Sequence, residues 1–153
     1  MPNWCEGSLK LKGEPDKIRK FLIDRVLYTD VEDVKENTIS DKKVDDDEIY
    51  FEIIGWRWVK NTRRAFLTPQ FVYYEDCGVI SLNMSQAWGF KYDDWLNVSK
   101  EYDLEVKLCG VEQGGQFTDY VHIKDGEISN QKSDTYETFE DWLWNVPFPN
   151  MGG

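Results

Sequence analysis

Two segments alternate apolar and polar side chains at a period of two, and this alternation constrains the fold more than any other feature of the chain. Leu104-Glu105-Val106-Lys107-Leu108-Cys109 sets its leucines and valine on one side, and Phe117, Asp119, Val121 and Ile123 stand against Tyr120 and His122 in the next segment. A period of two marks a strand with one buried and one solvated face, a pattern no helix reproduces. Lys124-Asp125-Gly126-Glu127 then has the composition of a hairpin turn leading into Ile128. The sheet is therefore expected to end in antiparallel strands. The start of the chain reads the same way, because Trp4 runs straight into Ser8-Leu9-Lys10-Leu11-Lys12, so residues 1–13 are expected to form the first strand.

Helical spacing appears between these strands. Gly13-Glu14-Pro15 turns the chain, Pro15 suits a first helical turn, and Ile18, Phe21, Leu22 and Val26 recur on one face through about Leu27. A second helix is expected from Lys91-Tyr92-Asp93-Asp94-Trp95, its acids near the positive end of the dipole and its inner stripe formed by Trp95, Leu96, Ser99 and Tyr102. A third, capped by Thr138, carries Phe139, Trp142, Leu143 and Val146 on one face and stops at Pro147 and Pro149. Ile49–Ile54, Gly55–Val59 and Gly78–Asn83 read as β segments. Residues 28–48 are too acidic and too poor in apolar side chains to predict a packed element, so they are expected to be a solvated, partly ordered insertion. Residues 60–76 fit strand, loop or short helix and carry no assignment.

These elements predict an α+β domain spanning 1–153. Its sheet should be mainly antiparallel with four or five strands, and two helices should pack on one face through Ile18, Phe21, Leu22, Trp95 and Tyr102. At 153 residues such a chain buries roughly 70% of its unfolded surface and needs no metal or disulfide to fold.

The opening Met1-Pro2-Asn3-Trp4-Cys5 resembles that of the YubB-like family of small phage- and plasmid-encoded proteins. A second stretch carries the same resemblance: Gln86-Ala87-Trp88-Gly89-Phe90, Trp95, Lys100-Glu101-Tyr102-Asp103-Leu104, Phe117 and Asp125-Gly126. The family usually has Ser-Pro-Pro after the Trp, where this chain has Gly89-Phe90-Lys91. The resemblance implies a ferredoxin-like split βαβ with an additional hairpin and a C-terminal helix, and a phage or mobile-element origin. It implies no molecular activity.

Charge narrows the partners. The net charge is −11, and it alternates along the chain: +2 over residues 1–29, −7 over 30–52, +3 over 53–92 and −9 over 93–153. A field of this sign repels phosphate backbones and membrane surfaces and favours encounter with basic patches on proteins, though acidity also simply keeps a protein soluble. Cys5, Cys77 and Cys109 are odd in number and widely spaced, which signals neither a disulfide framework nor a zinc site and fits a reducing cytoplasm, which the resemblance implies is that of a bacterial host cell. No signal peptide is recognisable, and no apolar run approaches the ~20 residues of a membrane helix.

Catalytic signals are sparse. His122, the only histidine, sits in an alternating strand, where a sheet-surface role competes with a catalytic one. Gly110-Val111-Glu112-Gln113-Gly114-Gly115 lies between strands, not before a helix, so it reads as a connection and not as a phosphate cradle. Asp41, Asp45, Asp46, Asp47 and Glu48 lack calcium-loop spacing; they read either as a solvated surface or as a row of carboxylates presented to a basic protein groove. Trp56 and Trp58 alternate near Arg57, Lys60, Arg63 and Arg64, an arrangement that suits base stacking with phosphate contact, but with no RNA-recognition signature beside it a core face with basic flanks is the favoured reading.

The function expected is therefore that of a non-catalytic protein without cofactor or metal. It binds and inhibits a bacterial host protein, such as a defence effector or nucleic-acid-binding enzyme, through an acidic, aromatic-bearing surface that includes Asp41, Asp45, Asp46, Asp47 and Glu48. The alternative is a small-molecule or nucleotide binder using Trp56, Arg57, Trp58, Arg63 and Arg64. A third reading is an enzyme with an unrecognised carboxylate site.

Overall fold

In the first strand, β1 (Trp4–Lys12), Cys5, Leu9 and Leu11 point inward at a period of two and are fully buried. The computed structural model describes residues 2–28, 38–69, 71–75 (backbone only) and 77–148. After β1, Pro15 opens α1 (Pro15–Arg25), whose Ile18, Phe21 and Leu22 are buried. β2 (Ile39–Val44), β3 (Glu48–Ile53), β4 (Arg57–Trp58), β5 (Ala65–Leu67), β6 (Phe71–Glu75) and β7 (Val79–Ala87) follow, then α2 (Tyr92–Tyr102), β8 (Glu105–Glu112), β9 (Phe117–Lys124), β10 (Glu127–Thr135) and α3 (Phe139–Asn145).

The class is α+β, and every described strand pairing is antiparallel. One sheet has the order β10-β9-β8-β1-β7-β5-β4 and the other β2-β3-β6. The larger sheet thus has seven strands among the described residues, not four or five. The short β4 and β5 extend one edge and the β9–β10 hairpin the other. That hairpin turns at Asp125 and Gly126, both at positive φ, which matches the right-handed twist of the strands it joins.

Helices α1 and α2 contact each other and lie against β7, β8 and β9, with Phe21 meeting Tyr102 edge-on at 5.5 Å. Ile18, Phe21, Leu22, Trp95 and Tyr102 are all buried, as their spacing predicts; Val98 joins the stripe and Leu96 stays half-buried. Ile39, Ile49, Phe51 and Ile53 of the second sheet belong to the same apolar cluster.

Two further expectations need correction, and one unassigned stretch gains its elements. The described part of 28–48 includes β2 and the start of β3, because alternate residues Ile49, Phe51 and Ile53 reach the core and hold a hairpin whose outer strand is otherwise polar; residues 29–37 lie outside the described residues. The unassigned stretch 60–76 contains β5 and β6, each placed by pairing with a longer strand. In α3 the expected face divides: Trp142 and Val146 are buried, whereas Phe139 and Leu143 are exposed. Among the described residues no helix is long and apolar enough to cross a membrane.

Candidate functional site

The segment from Trp56 to Arg64 is built around two buried arginines that face inward. Arg57 is 4% exposed and donates to the carbonyls of Val26 (2.8 Å) and Tyr28 (2.6 Å) and to Thr38 Oγ1 (3.1 Å). Arg25, at the end of α1, donates to Tyr102 Oη, the Lys60 carbonyl and Glu101. A guanidinium has five donors in a rigid fork, so each of these can bind several acceptors at once and tie the segment to α1. Arg57 is therefore a structural lock, and of the named ligand residues Trp56, Trp58, Arg63 and Arg64 alone reach the surface.

Burying Arg57 and Val59 turns Trp56 and Trp58 outward, so the two tryptophans do not form a core face. Instead Trp4 meets Trp56 at 4.8 Å and Phe66 at 5.8 Å, making a three-ring cluster at one end of the larger sheet. Trp58 pairs across the strands with Phe66 and donates its indole N–H to the Thr62 carbonyl at 3.1 Å. The Arg64 guanidinium lies over Trp88 at 5.1 Å and Trp4 at 5.8 Å. Arg64 forms no ion pair among the described residues.

Backbone strain is concentrated here. Arg64 and Trp88 have φ of 55° and 54°, in the left-handed region that costs a bulky residue about 1–3 kcal/mol and persists only where the surroundings enforce it. The enforcing contacts are visible. Gln86 accepts from the Trp95 indole (3.0 Å) and Lys91 N–H (3.1 Å) while donating to the Arg63 carbonyl (3.0 Å), and Ala87 N–H donates to the Arg64 carbonyl at 3.3 Å. Trp88 N–H in turn donates to the Asn3 carbonyl at 2.8 Å. Trp4 and Phe66 are not legible as partners of Trp56, nor Trp88 as a partner of Arg64, since only the pairing of β1 with β7 and of β5 with β7 brings these segments together.

Elsewhere several of the named side chains, Asp45, Glu48 and His122 among them, are already engaged by their own surroundings. Asp45 accepts from the backbone N–H groups of Asp47 and Glu48, and the first of these bonds, with Lys43 adding to it, holds its carboxyl below the usual range. Lys43 also pairs with Glu48. Asp45 and Glu48 thus shape the β2–β3 turn, while Asp41, Asp46 and Asp47 are exposed. His122 lies 3.0 Å from Glu105 on the outer sheet face. The buried Glu112 carboxylate accepts the N–H groups of Gly114 (2.6 Å) and Gly115 (2.5 Å), so the glycine loop already holds an internal anion. Among the described residues no group of three His, Cys, Asp or Glu side chains converges as a metal site.

A second surface lies on α3. Thr138 caps the helix by accepting Asp141 N–H at 3.1 Å, and Trp142 and Val146 anchor it. On this anchored helix Phe139 and Leu143 are exposed, Trp144 is 88% exposed, and Phe148 beyond it is 66% exposed. Glu137, Glu140 and Asp141 stand among them, and no Lys or Arg follows Lys132 in the sequence. Helical spacing puts Phe139 and Leu143 on one face with Trp142 and Val146, but only the latter two are covered by the rest of the fold. Compared with family models, with curated proteins and with solved structures, the chain matches none.

Proposed function

We propose that this is a non-catalytic binding protein that docks α3 and Phe148 into an apolar, basic-rimmed groove on another protein. The carrying observation is that Trp144 stands almost wholly in solvent on a capped, anchored helix, beside Phe139 and Leu143 and among three exposed acids. Exposed apolar patches rimmed by polar residues mark interaction sites, and tryptophans are the commonest anchors of such contacts. An amphipathic helix set in a groove is a recurrent way to use them. The acids select a basic rim and repel nucleic acid. In the setting the Met-Pro-Asn-Trp-Cys resemblance suggests, a phage or mobile element acting in the bacterial cytoplasm, the partner is a host protein. A defence effector or nucleic-acid-binding enzyme suits an acidic ligand best, and occupying its groove inhibits it. The acidic turn at Asp41 to Glu48 contributes long-range attraction.

The fold has a finer reading of the same origin. The chain order β1-α1-β5-β7-α2-β8 with the sheet order β8-β1-β7-β5 reads as a ferredoxin-like split βαβ, in which β1 separates the parallel strands β7 and β8. On this reading the β9–β10 hairpin, α3, β4 and the smaller sheet are additions.

The test is capture from bacterial lysate by the immobilised full chain, followed by calorimetry with the purified captured protein. Trp144→Ala should weaken that binding by about 30-fold, as loss of a hot-spot anchor does, and rising salt should slow association. Undiminished affinity in Trp144→Ala refutes the α3 surface. Self-association of the free chain that disappears in Trp144→Ala would make the partner a second copy and overturn the host-protein reading.

A further inference from the structure

The aromatic and arginine cluster is separate from α3 and carries its own inference. A shallow, open depression of about 600 Å³ is lined by Trp58, Phe66, Thr62, Arg63 and Arg64. This volume lies within the range of small-ligand sites, which are mostly apolar with a few placed polar groups. Its two arginines differ. Arg63 donates its N–H and Nε to the buried Asp94 carboxylate and approaches Asp93 at 3.9 Å, so its charge is engaged. Arg64 has no carboxylate partner among the described residues although the chain carries 29 acids, and its guanidinium is held against Trp88 and Trp4. A guanidinium positioned by aromatic faces has lost little hydrogen-bonding capacity and much conformational freedom, which prepares it for an incoming anion.

We infer that this cleft is a binding site for a planar aromatic ligand bearing one anionic group, with a nucleoside monophosphate as the matching class. The base stacks against Phe66 and Trp58, whose rings wall the cleft, and the phosphate meets the Arg64 fork. One uncompensated guanidinium answers one phosphate. A triphosphate or an oligonucleotide would bring further charge against a chain of net −11 with no other free cation in the cleft among the described residues. Trp56 and Trp4 back Phe66 from the far side, and the left-handed backbone at Arg64 and Trp88 aims both side chains into the same corner.

The test is isothermal titration of the full chain with 5′-AMP, 5′-GMP, 5′-CMP and 5′-UMP, with adenosine, inorganic phosphate and a single-stranded oligonucleotide as further arms, and indole resonances followed by NMR. At least one monophosphate should bind saturably, shifting the Trp58 indole. Adenosine and inorganic phosphate should each bind at least tenfold more weakly. Arg64→Gln should lower monophosphate affinity tenfold or more without changing the melting temperature, Arg64→Lys should fall between, and Trp58→Leu should weaken stacking. Trp144→Ala should bind as the wild type does, which keeps this result distinct from the α3 reading. No saturable binding at millimolar monophosphate, equal affinity in Arg64→Gln, or tighter binding of the oligonucleotide would each overturn the inference.

Discussion

The Asp94 carboxylate receives both the backbone N–H of Arg63 at 2.8 Å and its Nε at 3.0 Å, joining the first turn of α2 to the loop before β5. Asp94 is buried and also accepts from Gln86 at 3.3 Å, so three donors converge on one carboxylate. The orientation of Arg64 depends on this joint, because its neighbour is fixed at both backbone and side chain.

Replacing Asp94 with Ala should therefore leave buried donors unpaired. The expected cost is about 2 kcal/mol, within the ~1–3 kcal/mol range for an unsatisfied buried group; the exposed outer half of Arg63 keeps it from being larger. Urea denaturation measures it. An unchanged midpoint would mean that water replaces the carboxylate freely.

Leu22 is fully buried in α1 at the centre of the helix–sheet core. Leu22→Ala should cost about 2–5 kcal/mol through lost transfer energy and a cavity. Leu22→Asp should abolish the cooperative transition, since it buries an unpaired charge. Circular dichroism melts of both variants check this, and a native-like melt of Leu22→Asp would contradict the packing described.

The hydrogen bond from His122 holds the Glu105 carboxyl below the ordinary glutamate range. A depressed carboxylate binds its proton less tightly folded than unfolded, so its contribution is fully present above the unfolded pKa and is lost as pH falls through the lower folded pKa. His122→Ala should lower the melting temperature at neutral pH. Scanned downward in acid, the wild-type and variant curves should converge. Parallel curves through that window would refute the coupling.

The three cysteines should differ in reactivity. Cys77 and Cys109 are exposed, whereas Cys5 is fully buried and burial pushes its thiol pKa well up. Iodoacetamide at mildly alkaline pH should add two groups to the native chain and three after denaturation, as read by mass spectrometry. Modification of Cys5 in the native state would show that the inner end of β1 opens.

Periodicity alone determined β1, α1, α2, β8, β9 and the Asp125-Gly126 hairpin, because their patterns are local and each presents one apolar face long enough to register. The acidic balance of residues 93–153 was likewise legible. Tertiary structure decided the rest. The two residues of β4 and three of β5 are too short to carry a period, and they are strands only because longer neighbours supply hydrogen bonds. Burial of Arg57 reverses the face of Trp56 and Trp58, and no sequence rule prices a guanidinium inward unless carbonyls of α1's end and the following turn are known to await it. Positions 4, 56 and 66 meet, and Arg64 reaches both Trp4 and Trp88, through strand pairing between distant segments, and Phe139 and Leu143 lie outside because Trp142 and Val146 took the inner place on α3. Spacing groups the side chains that can share a face; which of them meet the core is set by contacts far away in the chain.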